Sequence, residues 1–191
     1  MIEIPPRFRV APAPFAGPVD GRTLVLHRSS AFGDGQHETT RMCVQALSVF
    51  APREPFRVLD VGSGSGILSI AAAKLGAEAH GVEIDEAANA VARENARASG
   101  VEGRATFGTA WPAGRFEVVL ANILRGVLLD LAEEIAARIA SPGLLVLSGL
   151  VSTDVPEIVA RYSPLVGVAR PEVFERGPWR ALVFRPGLSR T

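Results

Sequence analysis

The sequence predicts an α/β fold: a Rossmann-like, doubly wound and mostly parallel sheet with an antiparallel hairpin at its C-terminal end. Three observations predict it. From about residue 36 onward, short β-prone runs alternate with helical runs, a pattern that buries both faces of a parallel sheet under helices. The turn Gly62-Ser63-Gly64-Ser65-Gly66 joins one such strand directly to a helix, as nucleotide-type cradles do. Beyond residue 166, two β-prone runs meet at Gly177–Pro178, which marks a hairpin.

Residues 1–30 form an N-terminal extended arm in this reading, and residues 31–191 the folded domain. Pro5, Pro6, Pro12, Pro14 and Pro18 fix φ and remove backbone donors from the arm, leaving one short strand at Phe8–Val10. Thr23–Leu26 is a β-prone run able to pair with it. Thr39–Phe50 follows as a helix, with Met42, Val44, Ala46, Leu47 and Phe50 as its apolar positions,. Arg57–Val61 is a strand, Ile67–Leu75 a helix ended by Gly76, and Glu78–Val82 a strand. Glu86–Ser99 is a helix ended by Gly100, with Asp85 as its N-cap. Ala105–Phe107 and Phe116–Ala121 are strands, Val127–Ile139 a helix and Leu144–Leu147 a strand. The tail holds a helix at Val155–Tyr162 and the hairpin runs Val166–Glu175 and Arg180–Arg185.

Composition narrows the class. At 191 residues the chain is long enough for one full core, and its 48% hydrophobic content is ordinary for a globular protein,. Lys+Arg and Asp+Glu balance at 20 each, so no bulk charge asks for direct nucleic-acid binding. The single cysteine, Cys43, excludes an internal disulfide and, with three histidines, argues against a Cys/His metal site,. Cys43 reads as a small core residue. No basic segment precedes an apolar run at the N-terminus, and no stretch nears the roughly 20 apolar residues of a membrane span. A cytoplasmic protein with no membrane contact is the expectation; the sequence leaves the oligomeric state unknown.

The candidate site gathers where the predicted strands end. Gly62, Gly64 and Gly66 allow a close backbone approach to a ligand. Asp60 ends the preceding strand, where a carboxylate can accept from a ligand amine or order the loop. Glu83 stands 21 residues after Gly62 at the end of the next strand, placed to accept two ribose hydroxyls. Asn122 ends the run Phe116–Asn122; its side-chain oxygen can accept from an amine. Taken alone, it is also an ordinary turn former.

These segments, together with Ala31-Phe32-Gly33-Asp34-Gly35-Gln36-His37-Glu38-Thr39-Thr40 and Ala121-Asn122-Ile123-Leu124, resemble the class I S-adenosylmethionine-dependent methyltransferases, and most closely the PrmA family. Members of that family methylate amino groups of a large-subunit ribosomal protein. The resemblance implies S-adenosylmethionine as cofactor. It implies that Thr40 and Gly62 hold the methionine portion, that Glu83 holds the ribose, and that Asn122 lies beside the reacting methyl as the candidate catalytic residue. Three departures stand out. Asp34 replaces the usual threonine, Gln36 the usual histidine, and Glu83 is one methylene longer than the usual aspartate. Asp34 is either a site for a cationic acceptor or a turn residue. The family also carries an additional N-terminal substrate-binding domain, whereas about 30 residues precede Phe32 here. The implied acceptor is an amino group on a protein or a small molecule. Two further readings of the cradle are a nicotinamide-dependent oxidoreductase and a non-catalytic S-adenosylmethionine-binding module.

Overall fold

The computed structural model describes residues 1–28, 32–53 and 55–187. Ala31, the first residue of the quoted segment, and the expected boundary at residues 30 and 31 lie outside the described residues. Ten strands and six α-helices follow in chain order: β1 (Ile2–Ile4), β2 (Phe8–Pro12), β3 (Thr23–Leu26), α1 (Glu38–Phe50), β4 (Arg57–Val61), α2 (Ile67–Lys74), β5 (Glu78–Val82), α3 (Glu86–Ala98), β6 (Ala105–Gly108), β7 (Phe116–Asn122), α4 (Arg125–Asp130), α5 (Ala132–Ala137), β8 (Ile139–Val151), α6 (Val155–Val166), β9 (Glu172–Arg176) and β10 (Trp179–Phe184).

Seven strands form one sheet in the order β6-β5-β4-β7-β8-β10-β9. The strands from β6 to β8 pair in parallel, while β10 runs antiparallel to β8 and β9. The expected hairpin is there. Successive residues alternate between two cores, as a two-faced sheet requires. Val58, Val118, Leu120 and Val146 pack with α1, α2 and α3 on one face. Leu59, Val119, Ala121 and Leu147 pack with α4, α5 and α6 on the other. Among the described residues, no helix is long and apolar enough to cross a membrane.

The structure corrects the element reading in four places. Residues 2–26 form a three-stranded sheet, with β1 antiparallel and β3 parallel to β2: the expected strand near Phe8–Val10 and its pairing with Thr23–Leu26 are present, and β1 is added where only an extended arm is expected. The reason is burial: Ile4, Phe8, Val10, Leu24 and Leu26 sit in the main core, and their strands satisfy the backbone groups that this burial would orphan. The expected helix Val127–Ile139 is two short helices broken at Leu131 (φ −92°, ψ 7°). Tyr162 of α6 donates its buried hydroxyl to the carbonyl of Leu128 at 2.7 Å, one turn before that break. Strand β8 runs well beyond Leu144–Leu147 because Ile139 pairs with Phe116, and Leu150 and Val151 pair with β10. Helix α6 continues past Tyr162 to bury Val166 and ends at Gly167 with φ +68°. The β-prone run from Val166 therefore becomes a strand only at Glu172.

Replacing Tyr162 by phenylalanine removes the hydroxyl and leaves the Leu128 carbonyl without that donor. Loss of one buried hydrogen bond of this kind costs about 1–3 kcal/mol. Tyr162→Phe is expected to lower the free energy of unfolding by that amount, read as a lower urea midpoint with an unchanged m-value. An unchanged midpoint would remove the hydroxyl from the account of the helix break.

Candidate functional site

The sheet order reverses between β4 and β7. Chain from β4 winds outward to β5 and β6, and chain from β7 winds the other way to β8. Loops leaving the two central strands therefore diverge and open a crevice at the strands' C-terminal ends. A cleft of about 600 Å³ lies there, within the range of small-molecule sites. Gly62 and Gly64 line it after β4, Glu83, Ile84 and Asp85 after β5, Trp111 after β6, and Asn122, Ile123 and Leu124 at the end of β7. Phe32, His37 and Thr39 form a wall near the start of α1, and Gly149 and Trp179 complete it from β8 and β10.

The glycine turn fits only without side chains. Gly62 has φ +71°, and a Cβ there would stand 2.3 Å from Ile123 Cγ2. Gly64 has φ +51°, and its Cβ would meet the Phe32 carbonyl oxygen at 2.6 Å. Both positions thus demand a residue that tolerates positive φ and close backbone contact. Gly66 is the N-cap of α2 and packs toward Phe107 and Ala92, away from the cleft lining.

Glu83 ties the loops after β4 and β5 together. Its Oε2 accepts the Gly64 N–H at 3.1 Å, and its Oε1 accepts the Asp85 N–H at 3.2 Å. Asp85 caps α3 through the Ala87 N–H at 2.9 Å, as its position before the helix predicts. Asn89 donates to the Glu83 carbonyl at 2.9 Å and fixes the turn from below.

Asp60 is fully buried and does not line the cleft. Its Oδ2 accepts from Ser69 N (3.1 Å) and Ser69 Oγ (2.8 Å), so it ties β4 to the first turns of α2. Its Oδ1 has no partner among the described residues. Burial pushes its pKa up to about 6, the Ser69 bonds pull against that shift, and the negative charge of Glu83 adds to it. Cys43 is buried as well, and desolvation raises its thiol to about 12, which matches a core residue with no nucleophilic role.

Thr40 is buried outside the cleft lining, and its Oγ1 receives the Asn122 Nδ2–H at 3.4 Å. The neighbouring Thr39 lines the cleft instead. Helix α1 begins one residue earlier than its sequence suggests, because the His37 imidazole is the N-cap: Nδ1 accepts the Thr39 N–H at 3.3 Å and lies 2.7 Å from Thr39 Oγ1. The His37 ring packs between Phe32 and Trp179, with centroids 5.4 and 4.7 Å away. Asn122 keeps its Oδ1 buried with no partner among the described residues. Asp34 is a turn residue. Its two carboxylate oxygens take the Gln36 backbone N–H (2.9 Å) and the Gln36 side-chain amide (2.7 Å), and it does not line the cleft.

Of the residues singled out from the sequence, the cleft brings together Gly62, Gly64, Glu83 and Asn122, while Asp60, Thr40 and Gly66 stand behind them. Trp111, Trp179 and Ile123 also line it and were not legible as site residues. The only local signal for Trp179 is its place immediately after the Gly177–Pro178 turn. Glu83 and Asp85 give the lining two carboxylates, and no lysine or arginine joins them among the described residues. No cluster of three or more His, Cys, Asp or Glu suited to a metal ion is found among the described residues.

Residues 2–186 match the family described as ribosomal protein L11 methyltransferase (PrmA). A ribosomal protein L11 methyltransferase of Geobacter sulfurreducens is 43% identical over 174 residues, covering 90% of this chain and 57% of that protein. One from Chromobacterium violaceum is 41% identical over 180 residues, covering 94% and 58%. The chain thus spans a little over half the length of these curated relatives. The crystal structure of a ribosomal protein L11 methylase from Lactobacillus delbrueckii subsp. bulgaricus superimposes with a TM-score of 0.80 at 27% identity, covering 96% of this chain and 97% of that one. A 16S rRNA N2 G1207 methyltransferase from T. thermophilus shares the fold at TM-score 0.68 and 20% identity, covering 81% of this chain and 45% of that one.

The raised pKa of Asp60 has a signed consequence. Between the ordinary value of 3.8 and about 6, the folded state holds a proton that the unfolded state has released. Stability from this group is therefore present at low pH and is lost as pH rises through about 6. Urea unfolding measured from pH 8 to pH 5 should show the stability of the wild type rising relative to Asp60→Asn as the pH falls. A difference that stays constant over this range would mean that Asp60 does not titrate there.

Proposed function

The chain belongs to the ribosomal protein L11 methyltransferase (PrmA) family, and from that premise we propose that its cleft binds S-adenosylmethionine and directs methyl transfer to an amino group. The observation that carries the reading is the buried, unpartnered Oδ1 of Asn122 in the cleft wall. An amide oxygen accepts hydrogen bonds and cannot donate them, and leaving it unpaired costs about 1–3 kcal/mol. A ligand or acceptor that brings an N–H to this oxygen relieves that cost.

The residues present fit the cofactor. Bound S-adenosylmethionine supplies an electrophilic methyl on a sulfonium. Two carboxylates, with no lysine or arginine in the lining among the described residues, favour a cationic ligand over an anionic one. The Gly64 N–H, which a pyrophosphate would need at the glycine turn, is already taken by Glu83. This disfavours the nicotinamide dinucleotide reading. Glu83 is the residue to hold the ribose, and Gly62 the one to face the methionine end. Ile84, 90% exposed beside Glu83, offers an apolar surface for a base.

The chain's own part in transfer is alignment. The Asn122 Oδ1 accepts an N–H of the neutral amine and turns its lone pair toward the methyl, and Thr40 holds the amide in that orientation through Nδ2. Proximity and orientation of this kind lower barriers by up to roughly 7–11 kcal/mol. His37 has a structural role in this reading, its Nδ1 capping α1 through Thr39. The acceptor class assigned is a protein amino group, with ribosomal protein L11, the substrate in the relatives' names, as the first candidate.

Calorimetry should show S-adenosylhomocysteine binding at micromolar levels with no binding of NAD. With labelled S-adenosylmethionine and purified ribosomal protein L11, Asn122→Ala should lower the transfer rate by about 10²-fold, while affinity for S-adenosylhomocysteine falls less than about tenfold. Proportional loss of both would make Asn122 a cofactor ligand with no separate acceptor role. Tight binding without transfer to any amine would make the chain a binding module.

A further inference from the structure

Strand β3 lies at the edge of the N-terminal sheet and, among the described residues, pairs with a strand on one side only, β2. Its other side is bonded by the side chains of Asn95 in α3 and of Ser99, the C-cap of that helix. The Val25 N–H donates to Ser99 Oγ at 2.9 Å, Ser99 Oγ donates to the Val25 carbonyl at 3.2 Å, and the His27 N–H donates to Asn95 Oδ1 at 2.7 Å. Asn95 and Ser99 are four residues apart, hence on one helix face, and both are fully buried. One side chain from the last turn of α3 and one from its C-cap thus stand where a neighbouring strand would be.

Asn95 has a second partner. Its Nδ2 donates to the carbonyl of Ser65, inside the glycine turn, at 2.8 Å. Ser65 in turn grips the segment that forms the front wall of the cleft: its N–H donates to the Phe32 carbonyl at 2.9 Å, and its Oγ to the Gly33 carbonyl at 2.6 Å. The Phe32 carbonyl is the same atom that excludes a side chain at Gly64. A continuous series of hydrogen bonds therefore runs from His27 through Asn95 and Ser65 to the wall residue Phe32. Its middle links, Asn95 to Ser65 and Ser65 to Gly33, are buried, so a break there leaves a buried polar group unpaired.

We infer that Asn95 is a positioning residue that makes the seating of the Phe32–Gly33 wall on the glycine turn and the docking of strand β3 one coupled event. Asn95 touches no cleft surface. It acts through Ser65, and its two-ended amide is suited to the task because one end accepts and the other donates. By linkage, whatever orders the wall must also hold His27 more firmly, and whatever loosens the edge of β3 must loosen the wall.

The test reads backbone amide exchange, by NMR, at two sites: Ser65, whose N–H bonds the wall, and His27, whose N–H bonds Asn95. In ligand-free Asn95→Asp, a carboxylate can still accept from His27 but cannot donate to Ser65. Exchange at Ser65 should speed up by about fivefold or more, while amides of β4 and β7 keep their wild-type rates. Wild-type exchange at Ser65 in this variant would overturn the inference. Should Asn95→Asp fail to fold, Ser65→Ala supplies the reciprocal measurement, since it deletes only the bond to Gly33. It should speed exchange at His27, which it does not contact, and an unchanged His27 would overturn the coupling. A third arm, resting on the proposed cofactor reading, adds S-adenosylhomocysteine to the wild type. Exchange should slow at both Ser65 and His27; protection of Ser65 alone would overturn the coupling. Absence of binding would instead defeat the cofactor reading and leave the first two arms to decide this one.

Discussion

The pairing of β4 with β7 is the contact on which the rest of this molecule depends. Val61 lies opposite Ala121 in that ladder, so the residue after each, Gly62 and Asn122, emerges side by side at the same end of the sheet. Everything chain-adjacent to β4 winds away in one direction and everything after β7 in the other. The crevice between them follows from topology and needs no special residue to open it. What the sequence supplies is the means to line it: a turn bare enough to lie against Ile123, and a polar side chain at the end of β7.

That arrangement places unusual demands on buried polar groups. Asp60 is held under the turn with one oxygen satisfied by Ser69 and the other by nothing among the described residues. Asn122 is in a similar state. Neither is expected in a core optimised for stability alone, where such atoms are paired. They sit on the two strands that flank the cleft, one beneath the glycine turn and one in the wall. Local cost at a ligand site is the usual exception to consistent packing. Glu83 shows the converse: with both oxygens bonded to loop N–H groups, it joins the β4 and β5 loops before any ligand arrives. Its extra methylene, compared with the aspartate usual in the family, belongs to a side chain that spans from its own turn to Gly64.

Asp34 and Gln36, the two departures in the segment before α1, are explained by each other. One carboxylate accepts both the backbone and side-chain N–H groups of the other residue, forming a self-contained turn of the type that short polar side chains favour. The pair shapes the approach to α1 and contributes no charge to the cleft lining. The wall is then completed by the His37 ring, fixed as the cap of α1 and packed against Phe32 and Trp179.

The sequence by itself determined the elements whose cause is local. Short β-prone runs alternating with helical runs gave the strands of the parallel sheet, and glycines at 62 and 64 gave the turn. Asp85 was legible as a cap because an N-cap lies next to the residues it serves. The ends of the predicted strands also located the candidate site, whereas the order of the strands came only with the tertiary structure. Tertiary structure decided the rest. Trp179 joins Gly62, Glu83 and Asn122, each more than fifty residues upstream, only because β10 lands antiparallel on β8. The helix expected over Val127–Ile139 breaks beside a carbonyl bonded by a hydroxyl from α6, and the proline-rich start becomes a sheet because its apolar residues are buried in the main core. Thr40 faces Asn122 and Thr39 faces the cleft because an imidazole, with no special signal in the chain, caps the helix one residue early. These outcomes rest on hydrogen bonds and burial between residues far apart in sequence. Local periodicity carries no record of them.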